Sequence, residues 1–160
     1  MVAKYPAVTR KGTGCYTGTP VHVHTNPAKP PRYHRARSVK VPLVSKMEDQ
    51  IDAYVQAGTW VPIKHSEWAS SLVPALKRDG SLRLCADYKA TVNPAIDADN
   101  YKSPSIDAVL DSLAGGQYFA EIDLKEAYTQ IRVDDESAHV LAVNTIKGLF
   151  LQGNPTSFRR

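Results

Sequence analysis

The sequence predicts a mixed α/β fold of the α+β kind, preceded by an extended basic arm, and three observations lead there. Apolar residues recur at helical spacing just after residue 43, an Asp-Gly pair sits between two strand-like runs over 71–87, and prolines and cations crowd residues 1–42. With 160 residues, 42% hydrophobic and 22% charged, the chain can bury one core. Its mean hydropathy is -0.34, and no stretch reaches the ~18 to 20 apolar residues of a membrane span. Met1-Val-Ala-Lys-Tyr-Pro6 lacks the apolar run of a secretion signal. Cys15 and Cys85 are too few for a disulfide scaffold or a CxxC zinc site. A reducing, cytoplasmic setting without a membrane partner is the expectation.

The arm, residues 1–42, holds six of the 11 prolines, which remove backbone donors and fix φ. It should run extended, with at most a short strand at Pro20-Val-His-Val-His24. Residues 1–47 carry nine basic side chains and no acidic one, whereas Glu48 onward carries 11 basic and 16 acidic, for a net +4. A basic arm on a mildly acidic body suits a polyanion such as nucleic acid; a solvated terminus has the same composition.

The body begins at 43. Leu43, Met47, Ile51, Tyr54 and Val55 share one helical face, Ser45-Lys-Met-Glu48 matches a capping box, and Gly58 stands where a C-terminal cap belongs. These signals predict a helix over about 45–57. Ser71–Lys77 and Ser81–Asp87 then flank Arg78-Asp79-Gly80, a hairpin signature. In the second run Leu82, Leu84 and Ala86 point one way, and Arg83, Cys85 and Asp87 the other. After a polar connector, Ser103-Pro104 predicts a helix start, with Ile106, Val109, Leu110 and Leu113 as its apolar face and Gly115-Gly116 as its end. Gln117–Asp123 reads as a strand, Glu126–Gln130 as a helical turn and His139–Thr145 as another strand.

Asp123 closes its strand and is followed by Leu124-Lys-Glu-Ala-Tyr128. A carboxylate at a strand end can hold Mg²⁺ and leave positions open for phosphate oxygens; an Asp there also serves as a helix cap. Lys77 and Arg83 put two cations on one hairpin, where they suit a phosphate or stand as solvated charges. His22 and His24 have metal-pair spacing without further ligands nearby, and Asp97-Ala-Asp99-Asn100 is part of a calcium-loop pattern lacking its glycine and glutamate. Cys85 reads as a small packed side chain, and Trp60 and Trp68 as packing groups or, alternatively, as platforms for a template base.

Two segments carry a specific resemblance. Ser66–Asn93, with Ser66-Glu-Trp-Ala-Ser-Ser-Leu-Val-Pro74 and Leu82-Arg-Leu-Cys-Ala-Asp-Tyr88, resembles the fingers hairpin of retroelement reverse transcriptases. Leu113–Ile131, containing Tyr118-Phe-Ala-Glu-Ile-Asp-Leu-Lys-Glu-Ala-Tyr128, resembles their first catalytic palm motif. The closest flavour is that of gypsy-type long-terminal-repeat retrotransposons, and Lys29–Val39 resembles the segment joining protease to polymerase in their polyproteins. The resemblance runs over about residues 14–150. It implies the fingers and partial palm of a right-hand polymerase over 43–150, with RNA or DNA template-primer and deoxynucleoside triphosphates as partners and Mg²⁺ as cofactor. It also implies residue roles. Asp123 would be the first of three catalytic aspartates, with the Leu124 carbonyl also facing the metal, and Lys77 and Arg83 would grip the triphosphate. Backbone N–H groups near Glu126 and Ala127 would hold phosphates, and Tyr128 would gate against a 2′-hydroxyl. A virus-like particle or the nucleus is an alternative setting for the parent element.

The family continues past Gly148-Leu-Phe150 into a Leu-Pro-Phe-Gly-type loop and a Tyr-x-Asp-Asp hairpin bearing the other two aspartates; here Leu151–Arg160 reads as a divergent tail. One carboxylate does not assemble a two-metal site, so the 160 residues are expected to be inactive alone. The rival readings are a non-catalytic nucleic-acid-binding fragment and a non-functional remnant whose palm sheet lacks partners; pairing with an intact polymerase stays open.

Overall fold

Proline decides where the first helix starts. In the computed structural model, which describes residues 14–97, 102–124 and 127–152, α1 spans Val41–Gln56 with Lys40 as N-cap and Pro42 in its first turn. The helix therefore begins four residues before the expected Ser45, because proline needs no N–H there and its φ is already helical. Ser45 and Glu48 lie inside the helix and form no capping box. At the other end the Gly58 N–H donates to the Val55 carbonyl at 3.0 Å, and Gly58 takes φ +70°, a conformation that favours glycine.

The strands are β1 (Trp60–Ile63), β2 (Ser70–Leu76), β3 (Leu82–Ala86), β4 (Val143–Thr145) and β5 (Gly148–Gln152). Among the described residues they form one mixed five-stranded sheet in the order β1-β5-β4-β2-β3. β2 and β3 make the expected antiparallel hairpin, with Leu72 opposite Ala86 and Leu76 opposite Leu82. β2 runs parallel to β4, and β5 lies antiparallel to both β4 and β1. Pro62 is tolerated in β1 because that strand is a sheet edge. β5 continues through Leu151 and Gln152, which face Val61 and Trp60.

α1 lays Met47 and Ile51 against the sheet, where Trp60, Leu72, Leu82, Val143 and Phe150 complete a buried cluster. Each such side chain contributes roughly 1.5–3 kcal/mol by leaving water. A second cluster joins Trp68, Val92, Ala95 and Val140. Both tryptophans are buried, so neither offers a face to a template base.

Three expected elements differ. The second helix, α2, spans Ile106–Ser112 and is capped by Ser105, whose hydroxyl accepts from the Ala108 N–H at 3.2 Å. Ser103 is not the cap, because Ser105 is the hydroxyl three residues before a free helical N–H. His139–Thr145 is not one strand: α3 occupies Asp135–Val140 and β4 begins at Val143. There the Asp134 carboxylate accepts from the Ser137 N–H at 2.8 Å, and Asp135 and Glu136 suit the helix N-terminus. Gln117–Asp123 forms no strand. Tyr118 is 94% and Ile122 86% exposed, and no described strand pairs with the segment, so its backbone has no ladder to join. The α2 apolar face is likewise exposed at Ile106, Val109, Leu110 and Leu113.

Residues 14–40 carry no helix and only isolated bridges, at Val21 beside Val133, Thr25 opposite Ile96 and Tyr33 beside Ala69. They are nonetheless tied down. His34 N–H donates to the Ala69 carbonyl at 2.8 Å, and Asn144 of β4 donates to the Tyr33 hydroxyl at 3.0 Å.

Tyr88 links the second cluster to β5: its hydroxyl donates to the Leu141 carbonyl at 3.1 Å and accepts from Gln152 Nε2 at 2.6 Å. Burial pushes its phenol pKa above the usual value of 10.0, with the Gln152 bond opposing in part. A raised folded pKa favours the neutral phenol, so this stabilisation is complete below the unfolded pKa of about 10 and lost as pH rises beyond it. Tyr88→Phe should cost about 1 kcal/mol at neutral pH and flatten the loss of stability above about pH 10, measured by urea denaturation across that range. An unchanged alkaline slope would contradict this.

Candidate nucleotide and metal site

The hairpin places the two expected cations together. Lys77 N–H donates to the Ser81 carbonyl at 2.8 Å, continuing the register that sets Arg83 opposite Ala75. Ser81 and Arg83 are two apart on one strand, so Lys77 and Arg83 are diagonal neighbours on one face. The turn between them is held by Asp79, whose carboxylate accepts from the Ser81 N–H at 2.9 Å and its hydroxyl at 2.6 Å. Those two bonds, with Lys77 nearby, hold the Asp79 carboxyl below the usual carboxylate range. Gly80 takes φ +78°, which the turn requires. Both cations are exposed, and neither makes an ion pair among the described residues.

Asp123 ends the unpaired segment as an exposed carboxylate, without a hydrogen bond among the described residues. Glu126 lies outside the described residues. Ala127–Gln130 forms a single 3₁₀ turn, as expected for a helical turn there, and carries Tyr128 at 90% exposure. Leu124 and Ala127 line a cleft of about 490 Å³ with Cys15, Tyr16, Val21 and Ile131. No hydrogen bond or ion pair among the described residues joins Lys77 or Arg83 to Asp123 or Tyr128. The structure thus assembles the cation pair and, separately, the turn after Asp123.

The wall of that cleft comes from the upstream segment, a contact not legible in the sequence. Tyr16 N–H donates to the Gln130 carbonyl at 2.7 Å, Arg132 Nη2 to the Gly18 carbonyl at 2.9 Å, and Val21 N–H to the Arg132 carbonyl at 2.8 Å. His22 Nδ1 lies 2.6 Å from Asp134 Oδ2. His22 and His24 stack edge to face, with ring centroids 4.7 Å apart. Among the described residues no group of three or more His, Cys, Asp or Glu is placed to hold a metal. Residues 98–100 of the calcium-like pattern lie outside the described residues, and Cys15 and Cys85 are free thiols.

The Ser137 hydroxyl and N–H, then His22, hold the Asp134 carboxyl down to about 2. A depressed folded pKa stabilises the fold above the unfolded value of about 3.9, and that contribution is lost as pH falls toward 2. Hydrogen exchange at Val21 and Val23 should accelerate over that window relative to the intrinsic rate, and Asp134→Asn should remove the pH dependence. Equal protection at pH 5 and pH 2.5 in the unsubstituted chain would refute it.

Arg37 is one of the nine basic side chains of residues 1–47, and its partners are not legible from composition. Its Nε donates to Ser71 Oγ at 3.0 Å, and its Nη2 pairs with the Asp87 carboxylate. Only the pairing of distant segments reveals this.

No protein-family model matches the chain. The fold is similar to one part of a viral protease–reverse transcriptase: it superposes on the native prototype foamy virus enzyme with TM-score 0.80 at 20% identity, covering 98% of this chain and 21% of that one. It also superposes on the foamy viral enzyme in complex with RNA/DNA hybrid, with TM-score 0.72 at 17% identity over 98% of this chain and 21% of that one. By sequence, its curated relatives include retrotransposon polyproteins. The Drosophila melanogaster Retrovirus-related Pol polyprotein from transposon 297 is 25% identical over 91% of this chain and 15% of its own length. The Schizosaccharomyces pombe Transposon Tf2-3 polyprotein is 33% identical over 65% of this chain and 8% of its own. The Caenorhabditis elegans uncharacterized protein K02A2.6 is 30% identical over 98% of this chain and 13% of its own. The chain therefore spans only about an eighth of the curated relatives it matches, and the resemblance read from its motifs stands.

Proposed function

We infer that this chain supplies the fingers and the first part of the palm of a retroelement reverse transcriptase, and that its chemistry is RNA-directed DNA synthesis by nucleotidyl transfer. The observation that carries this reading is the pair Lys77 and Arg83, free on one face of a projecting hairpin. A guanidinium fork and an ammonium point charge side by side match the oxygens of a triphosphate. The retrotransposon relatives and the nucleic-acid complexes of the foamy viral enzyme support template-primer and deoxynucleoside triphosphates as partners.

In this reading Asp123 and the Leu124 carbonyl hold Mg²⁺. Mg²⁺ takes one or two carboxylates and completes its shell with water and phosphate oxygens, so an exposed Asp beside a carbonyl suits part of such a site. When bound, the ion neutralises phosphate charge and makes the primer hydroxyl a better nucleophile. The chain's own residues do the positioning. Lys77 and Arg83 hold the triphosphate, backbone N–H groups at Glu126 and Ala127 orient its oxygens, and Tyr128, standing free on its turn, limits room at the sugar 2′ position. The cytoplasm, or a particle formed there, is the setting.

One carboxylate cannot complete a two-metal site, so the 160 residues alone do not polymerise. Primer extension on an RNA template tests the reading. A polypeptide joining this chain to a Tyr-x-Asp-Asp palm segment and thumb from the parent element should extend the primer in Mg²⁺, and the chain alone should not. Extension by the chain alone would sink the three-carboxylate argument, and failure of the longer folded polypeptide would sink the assignment.

A further inference from the structure

The hairpin that carries Lys77 and Arg83 outruns the sheet. β4 pairs only with Ser70 and Ser71, so from Leu72 outward β2 and β3 form a two-stranded ribbon. Such a ribbon has little stability of its own and takes its orientation from what grips it. Its inner face is held by the core, where Leu82 joins Met47 and Ile51 of α1 in one buried cluster and Leu84 and Ala86 pack against that cluster. Its outer face carries Ser71, Val73, Ala75 and Lys77, and across from them Asp87, Cys85, Arg83 and Ser81.

Arg37 grips that outer face at its base. Nε donates to Ser71 Oγ at 3.0 Å on one strand, and Nη2 pairs with Asp87 just past the end of the other. The Asp87 N–H donates to the Ser71 carbonyl at 2.9 Å, so the guanidinium clamps two residues already paired with each other. Among the described residues no other side chain from outside the hairpin bonds to a side chain of this face. Resting on the reading of the hairpin as the triphosphate clamp, we propose that Arg37 is a positioning residue for Lys77 and Arg83. It fixes the ribbon on the face those cations occupy and neutralises Asp87, the carboxylate on that same face. A fork that meets two acceptors at once does this; a lysine offers a single charged point.

A double-mutant cycle on the 160-residue chain separates this role from general stabilisation, with Mg²⁺-dATP as the probe in calorimetric titration and circular dichroism to verify folding. Arg37→Ala and Arg83→Ala should each weaken binding about tenfold, and the double variant should fall well short of the roughly hundredfold product of the two, because part of the clamp's effect is carried by Arg83 and the rest by Lys77. Arg37→Lys should fall between the chain and Arg37→Ala. Should Arg37→Ala fail to fold, Ser71→Ala, which removes one acceptor of the clamp and leaves every charge in place, should weaken binding in the same direction, by a factor that shrinks when Arg83 is absent. Multiplying effects of about a hundredfold in the double variant, or unchanged affinity in Arg37→Ala or Ser71→Ala while Arg83→Ala binds weakly, would overturn the proposal. If Lys77→Ala and Arg83→Ala both bind like the unsubstituted chain, or that chain does not bind, the reading of the hairpin falls and the inference with it.

Discussion

Asp123→Asn, in a polypeptide that carries the remaining palm and thumb, should lower primer extension by more than the roughly 100-fold that loss of even an outer partner costs a metal site. The substitution keeps the shape of the side chain and removes its charge. Asp123 is exposed and makes no hydrogen bond among the described residues, so none of those residues depends on that charge, and the melting temperature should not move. Loss of activity without loss of stability is the signature of a group that acts on substrate or metal. A helix cap behaves in the opposite way, since its removal destabilises the helix it serves. Extension at near the unsubstituted rate would remove Asp123 from the chemistry, whereas a lowered melting temperature would return it to the role of a cap.

Trp60→Ala should be the most damaging single change to the fold. Trp60 sits on edge strand β1, 6% exposed, with ring centroids 5.0 Å from Tyr54 of α1 and 5.7 Å from Phe150 of β5. It is where helix and sheet edge meet. Removing a buried Trp side chain costs about 3–5 kcal/mol, a large part of the roughly 5–15 kcal/mol that holds a domain together. Denaturation followed by circular dichroism should show the midpoint collapse or a chain largely unfolded at 37 °C. The contrasting change is Phe119→Ala, in the exposed segment before Asp123, which should move the midpoint little. A Trp60→Ala midpoint as high as that of Phe119→Ala would mean that the cluster of Met47, Ile51 and Phe150 holds without its aromatic corner.

Where a feature rests on near neighbours in the chain, reading and structure agree. The α1 face of Met47 and Ile51 follows from a 3.6-residue period, and the hairpin from Asp79-Gly80 between two runs. The common face of Lys77 and Arg83 follows from strand alternation alone. The disagreements arise where two local signals compete. Val140 to Val143 is apolar enough for a strand, but Asp134 and the acidic turn after it begin a helix first. Ser103-Pro104 is a good cap pair, and Ser105 is a cap closer to the helix.

By itself the sequence determined the kinship with retroelement polyproteins, the hairpin with its two cations, and the position of Asp123 after an apolar segment. These are matters of residue identity and short spacing, which the chain states without reference to anything far away. Only the tertiary structure decided that Gln117–Asp123 has no ladder, that β1 and β5 close one side of the sheet, and that Arg37 clamps Ser71 to Asp87. Only there does the segment around Val21 lie against Arg132 to Asp134. Each of these depends on a partner tens of residues away, because a backbone donor, a guanidinium or an apolar face is satisfied by whatever the fold brings to it.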